Sequence, residues 1–517
     1  MDLLLSSLRA YKLEVLVIFL FIFVPLSAIL IINFKNIEKF FFFSVNYLTS
    51  KNPTFENISL TKDVVIFKGS IYSNNIHFGD IYGLVFLFIT IVKKEYRKYF
   101  SILPNGTIPL ALYVICSSVS IINAPEATFE RSIYAITMHV RQFLFFYCFA
   151  NFFRIPGRLD YQLKSFFFIA LYTFVIALQQ RYAWGLMRVA GDFTHPNGMV
   201  FYLSPVLVIF TALFFNHAES NYSKAISIST ILVILISCLM SMSRGLFVNL
   251  GIGLFVLIVL DFSSKFNLKK PLILFSFFCL LFFGSMKAWD SWYDRFTLGK
   301  NEAGSSHRVG YYLISYEIFK EYRWFGIGIN QFGSNAYQEK ILDRVLEHDF
   351  VKKDPLVYAF VNSYKQKVAN GLKKGIEVEE LIRGGTPESY YALHFAETGI
   401  VGIIGTLVSQ LFFLISAFRS FVYFRRRNAF YYCLSIGLFS GLLGMFGQSV
   451  VEYILRQENP MYLQAYVYAM ISGIAYTRRS KKFDRSSSSL FPEGDQPPEF
   501  SPAVNKEETC LPPLPNV

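Results

Sequence analysis

The chain has 517 residues, of which 53% are hydrophobic, 18% aromatic and only 16% charged; soluble domains carry roughly 25% charged residues, so the composition excludes an ordinary soluble domain and points to a polytopic membrane protein. The formal charge of +13 does not indicate nucleic-acid binding, because the Lys and Arg residues fall in short clusters at the ends of apolar runs, where they set topology. Cys116, Cys148, Cys238, Cys279 and Cys433 lie in apolar runs and Cys510 in the tail, without the paired spacing of a disulfide framework or a metal site.

In chain order, Arg9 and Lys12 precede the apolar run Val15 to Phe34, which is too long for a signal-peptide core and reads as a retained first span with a cytoplasmic N-terminus. The polar, aromatic-rich segment Lys35 to Gly79 is then expected outside. Tyr82 to Val92 returns to the basic cluster Lys93, Lys94, Arg97 and Lys98. Thr107 to Ala124 goes out, and Ser132 to Ala150 comes back to Arg154, Arg158 and Lys164. Ser165 to Trp184 leads to the outer loop Arg188 to Gly198, and Met199 to Phe215 returns. Ala225 to Met242 goes out to Ser243 and Arg244, Leu246 to Asp261 re-enters at Lys265, Lys269 and Lys270, and Pro271 to Lys287 leads out again. After a polar insert, Tyr390 to Phe418 ends in Arg419 and Arg425 to Arg427, and Phe430 to Val451 and Met461 to Tyr476 complete a set of about twelve spans. Both termini are expected in the cytoplasm, and the Ser-, Pro- and acid-rich tail is expected to be disordered.

The expected fold class is therefore an all-α polytopic membrane protein with a large extracytoplasmic helical loop between the ninth and tenth spans. Its parts are a membrane domain 1–288, the loop 289–389, a second membrane domain 390–476 and a tail 477–517. Within the loop, Val309, Tyr312, Leu313, Tyr316 and Phe319 recur at helical spacing after Arg308, and the glycine-rich turn FGIGINQFG follows. Two further amphipathic segments, Gln338 to Phe350 and Leu356 to Leu372, complete a small helical cap.

Arg188, Arg244 and this whole loop fall on the same, outer side. Arginine there runs against the charge rule, and an anion at the membrane boundary is the physical reason available, since guanidinium forks match phosphate oxygens. Three other residues carry two readings each. His195 braces its His-Pro-Asn loop or touches ligand. Arg141, between His139 and Gln142 inside a span, lines a ligand cavity or has a structural ion partner. His394, one turn into a span, is buried and hydrogen-bonded or acts as a proton acceptor.

The ordered motifs SMSRGL at Ser241 to Leu246, SSHRVGYYLISYEIF at Ser305 to Phe319, FGIGINQF, and SYYALHFAETGIVGIIG from Ser389 to Gly405 resemble the O-antigen ligase and polymerase superfamily. The resemblance implies an integral membrane glycosyltransferase without metal or other cofactor. Its donor would be a glycan on polyprenyl pyrophosphate, its acceptor a sugar hydroxyl of another glycan, and its place the outer face of the bacterial cytoplasmic (inner) membrane. It further implies that Arg244 and Arg308 contact the pyrophosphate. The position nine residues before the Glu of E-x-G, a His in many members, is Glu388 here, and a carboxylate there can take a proton as general base. Other polysaccharide-assembly proteins are possible partners. The residues leave open polymerase against ligase, and two other classes: a transporter or flippase of the lipid-linked glycan, and a scaffold of an envelope complex.

Overall fold

The computed structural model describes residues 24–33, 35–50, 57–59, 75–126, 129–193, 195–216, 221–243, 245–262, 304–332, 339–373 and 387–480. Arg244, the expected span Pro271 to Lys287 and the tail beyond Ser480 lie outside these residues; the first four tail positions, 477–480, belong to the last helix. The membrane part contains α1 (Val24–Asn33), α2 (Lys35–Ser50), α3 (Phe78–Val92), α4 (Thr107–Val119), α5 (Phe129–Phe152), α6 (Arg158–Leu178), α7 (Pro196–Asn216), α8 (Asn221–Met240) and α9 (Gly245–Phe262). The insert contributes α10 (Gly304–Glu321), α11 (Glu339–Glu347), α12 (Asp349–Lys353) and α13 (Pro355–Lys373), and the chain returns through α14 (Tyr390–Phe424), α15 (Ala429–Val451) and α16 (Glu458–Ser480). A ladder of two three-residue strands, Asn57–Ser59 and Asn75–His77, joins α2 to α3.

Among the described residues, five helices are long and apolar enough to cross a membrane: Phe129–Phe152, Arg158–Ala183, Pro196–Phe215, Tyr390–Phe424 and Ala429–Val451. Five shorter apolar helices accompany them. Lipid gives no hydrophobic drive between helices, so their association depends on close packing and small residues. Helix α15 illustrates this, packing on α7, α9 and α14. A methyl group at Gly437 would stand 2.8 Å from the Ile209 Cα, and one at Gly444 2.5 Å from the Asn249 carbonyl oxygen. Helix α16 carries polar residues among its apolar ones and is buried along most of its length, with Gln464 bonded to Gln142 and to Tyr468.

Basic residues gather at one end of the bundle. Arg154 stacks on Tyr476, Arg479 bonds Asn105, and Arg478 lies near Arg419 and Tyr423. The segment after Phe34 departs from the hydropathy reading. Glu38, on α2, pairs with Arg158 at 2.8 Å and accepts from Tyr96 at 2.7 Å, so α2 begins at the basic end instead of lying wholly beyond the opposite one. From there it runs alongside α6, with Asn46 accepting from Gln162 and Tyr47 meeting Tyr172. Its aromatic residues are core: Phe42 is fully buried against Phe86, Phe149, Phe152 and Phe153. A polar, aromatic-rich stretch read one residue at a time resembles a loop; its amphipathic helical face becomes evident only when its partners are present.

The insert has a core of its own, where Tyr311, Ile314 and Ile318 of α10 meet Ile341, Leu342 and Val345 of α11 and Phe360 and Val361 of α13. It is fastened to the bundle by a backbone splice. Helix α14 is interrupted at Gly399 (φ 62°, ψ −160°), a conformation essentially restricted to glycine. The freed groups pair with the FGIG turn: Ile400 N donates to Arg323 O at 3.0 Å and Val401 N to Trp324 O at 3.1 Å. In return, Ile327 N donates to Ala396 O at 3.1 Å and Gly328 N to Glu397 O at 3.0 Å. The approach is so close that a side chain at Gly326 would stand 2.3 Å from the Glu397 backbone. Arg456 then bridges the junction, bonding Glu397 Oε2 at 2.7 Å and Asn330 Oδ1 at 2.9 Å, while Phe332 N donates to Glu397 Oε1.

Candidate functional site

The splice holds α10 over the end of the bundle opposite the basic clusters, and there Arg308 and Glu388 meet. Arg308, in the first turns of α10, forms an ion pair with Glu388, just before α14, across 80 residues of sequence. Both remain partly exposed, at 34% and 43%. Tyr312, one turn beyond Arg308, lies near Glu388 and shares a hydrogen bond with Ser389; burial pushes its phenol up. Ser389 caps α14 by accepting from Ala392 N, which fixes the backbone carrying Glu388.

The outer loops arrive from the other side. Arg188 Nε donates to Ser241 O at 3.5 Å, its Nη2 reaches Asn197 Oδ1 at 3.4 Å, and Val189 N donates to Met240 O. The SMSRG turn is tight: Met242 has φ 50°, Ser241 Oγ donates to Cys238 O at 2.6 Å, and Ser243 Oγ donates to Asn197 Oδ1 at 2.9 Å. Arg244 lies outside the described residues, but both of its neighbours are in place. A methyl group at Gly245 would meet Gln448 Nε2 at 2.4 Å and Glu452 Oε1 at 2.8 Å.

Glu452 is the hub that sequence reading passes over. It closes α15, is 6% exposed, and receives Asn197 Nδ2 on Oε1 at 2.9 Å and Gln448 Nε2 on Oε2 at 2.8 Å. Its backbone carbonyl accepts from Tyr390 N at 3.3 Å, tying it to the start of α14. Burial pushes its carboxyl up to about 7; the Gln448 bond, Arg308 and Arg188 act in the opposite direction, and Glu388 adds to the rise. The one sequence signal was an acid directly at the end of an apolar run, away from the basic clusters.

The other expected residues have these surroundings. His195 Nδ1 accepts from Asn197 N at 3.1 Å, bracing the loop that brings Asn197 to Glu452. His394 is buried and stacked on Tyr390, ring centroids 5.4 Å apart, with Nε2 3.5 Å from Ser117 Oγ. Arg141 is tied to Asp80 at 2.8 Å and to Tyr462 at 2.6 Å, and Tyr462 in turn donates to Asp80. That is the arrangement expected of a structural ion partner inside a bundle. Arg456 and Glu397, 8% and 2% exposed, form the buried pair that braces the splice.

Guanidinium forks match the oxygens of an anion, and here Glu388 occupies that of Arg308. Residues 229–350 match the family described as O-antigen ligase. That stretch carries positions 244 and 308, while Arg188, Glu388 and Glu452 lie on either side of it. No curated protein matches the chain.

Proposed function

We propose, supported by the match of residues 229–350 to the family described as O-antigen ligase, that the chain transfers a glycan from polyprenyl pyrophosphate to a sugar hydroxyl of an acceptor glycan. The reaction takes place at the outer face of the bacterial cytoplasmic membrane, with the basic clusters of Arg154, Arg419 and Arg478 on the cytoplasmic side of a bundle of about twelve spans. The observation carrying this reading is the convergence of Arg188, both neighbours of position 244, Arg308, Glu388 and Glu452 at one end of that bundle.

Arg308, Arg188 and Arg244 take the diphosphate of the donor. Arg308 exchanges Glu388 for phosphate oxygens, which frees the carboxylate when the donor is seated. Glu388 then accepts the proton of the acceptor hydroxyl as that oxygen bonds to the anomeric carbon. The bond from this carbon to the diphosphate oxygen breaks, and its electron pair leaves on the diphosphate, where the guanidinium charges stabilise it. A single displacement inverts the anomeric configuration. The arginines supply the positive charge that the leaving group needs, so the reading requires no metal.

The test is purified protein in liposomes with a polyprenyl-pyrophosphate glycan and an acceptor glycan. Wild type forms a new glycosidic linkage. Arg244→Ala and Arg308→Ala lose roughly 100- to 1,000-fold in transfer, the usual effect of removing one preorganised stabilising group, and Lys restores part because it lacks the fork. Normal transfer by both alanine variants removes the pyrophosphate assignment. Movement of the donor across the bilayer without a new linkage replaces the enzyme by a flippase.

A further inference from the structure

Three partly buried arginines within the bundle are each neutralised by a carboxylate: Arg141 by Asp80, Arg158 by Glu38 and Arg456 by Glu397. The basic end breaks that pattern. Arg154, just after α5, and Arg478, in the last turn of α16, are half-buried, yet neither forms an ion pair among the described residues, and Arg154 Nε and Arg478 Nη1 find no acceptor there. Two exposed arginines, Arg419 and Arg479, accompany them. Arg479 Nη2 donates to Asn105 Oδ1 at 3.0 Å and Asn105 Nδ2 to Ser416 Oγ at 3.1 Å, which fastens the end of α16 to α14 one turn before Arg419. On the other side, the Arg154 guanidinium lies 4.1 Å from the Tyr476 ring centre and fastens α16 to the end of α5.

We infer that Arg154, Arg419, Arg478 and Arg479 hold the phosphate of an anionic phospholipid in the leaflet that meets this end of the bundle. Guanidinium groups withdrawn from water and left without a counter-charge are costly, and the carbonyl ends of α14 and α16 offer only about half an elementary charge each. A phosphate supplies both the charge and the acceptor oxygens that their N–H groups lack. The apolar surface beside the cluster selects a lipid over a free anion. Along α14, Leu411, Ile415, Phe418 and Val422 recur at helical spacing and are all exposed, a stripe that passes Arg419 and matches acyl chains. Inorganic phosphate uses the same forks but has no use for the stripe. The inference is separate from the transfer reaction, since it concerns the opposite end of the bundle and requires only that the bundle sits in a bilayer.

The experiment is native mass spectrometry of the full chain in detergent, titrated with phosphatidylglycerol or with phosphatidylcholine of the same acyl chains, and with inorganic phosphate as competitor. Wild type should retain phosphatidylglycerol with a Kd at least about tenfold below that for phosphatidylcholine. Each arginine facing an anionic headgroup contributes about fivefold, so the double variant Arg154→Gln with Arg478→Gln should raise the Kd for phosphatidylglycerol on the order of 25-fold and leave that for phosphatidylcholine unchanged. The double variant Lys93→Gln with Lys94→Gln removes the same charge from another basic cluster and should bind like wild type. Equal phosphatidylglycerol binding by wild type and the arginine variant overturns the inference, and so does an equal loss in both double variants, which would mean diffuse attraction instead of a site. Where the arginine variant does not accumulate, wild type alone decides. Binding without preference for phosphatidylglycerol, or its displacement by an equal concentration of inorganic phosphate, overturns the lipid assignment.

Discussion

The junction at Gly399 offers the sharpest test of how the insert is held over the bundle. In Gly399→Ala the new methyl group would lie 2.5 Å from Trp324 O and 2.6 Å from Gly326 N. Both are backbone atoms that cannot rotate aside. Holding alanine at φ 62°, ψ −160° costs on the order of 1–3 kcal/mol, and relieving the overlap about the same again. If the turn moves away, the bonds from Ile400 N and Val401 N are lost, roughly 0.5–1.5 kcal/mol each. Several kcal/mol concentrated on one contact is enough to detach the insert while each side keeps its own core, so the variant should insert and accumulate. Limited proteolysis in detergent is the assay, read by mass spectrometry: cleavage within Arg323 to Phe332 should rise at least tenfold over wild type, with glycan transfer lost in parallel. Protection and transfer equal to wild type would show that the splice does not anchor α10, and the argument from its hydrogen bonds would fail.

Arg456→Met leaves the Glu397 carboxylate buried without its cation and should cost about 3–5 kcal/mol; thermal unfolding should show the double variant with Glu397→Gln recovering much of that loss. Glu388→Gln should abolish transfer yet bind farnesyl diphosphate at least as well as wild type, because Arg308 no longer has a competing carboxylate; weaker binding contradicts the exchange step. Glu452 also makes stability depend on pH. Its carboxyl is raised from 4.5 to about 7, so the folded protein holds the proton more tightly than the unfolded chain. The contribution is complete below the ordinary carboxyl value and lost as pH rises through 7, a change of roughly 3 kcal/mol. Denaturation of wild type and Glu452→Gln between pH 4.5 and 8 should differ in slope by this amount.

Much of the molecule was legible along the chain, for definite reasons. Hydropathy and helical spacing are local properties, so the apolar helices, α10 along Val309 to Phe319 and the amphipathic segments α11 and α13 follow from residue order. Arginine at 188 and 308 stood out because both lie away from the basic clusters that set topology. Tertiary structure alone decided which polar groups face one another. Glu388 meets Arg308 because a glycine break in α14 accepts the backbone of the distant Arg323–Gly328 turn. Lys35–Ser50 enters the core because Arg158 and Tyr96 satisfy Glu38. Arg141 is tied to Asp80 and Tyr462, a pairing not apparent from its neighbours in sequence. Glu452 acquires its place only when α7, α9, α14 and α15 close around it, since the energy of a charge is set by the groups and solvent that surround it in three dimensions.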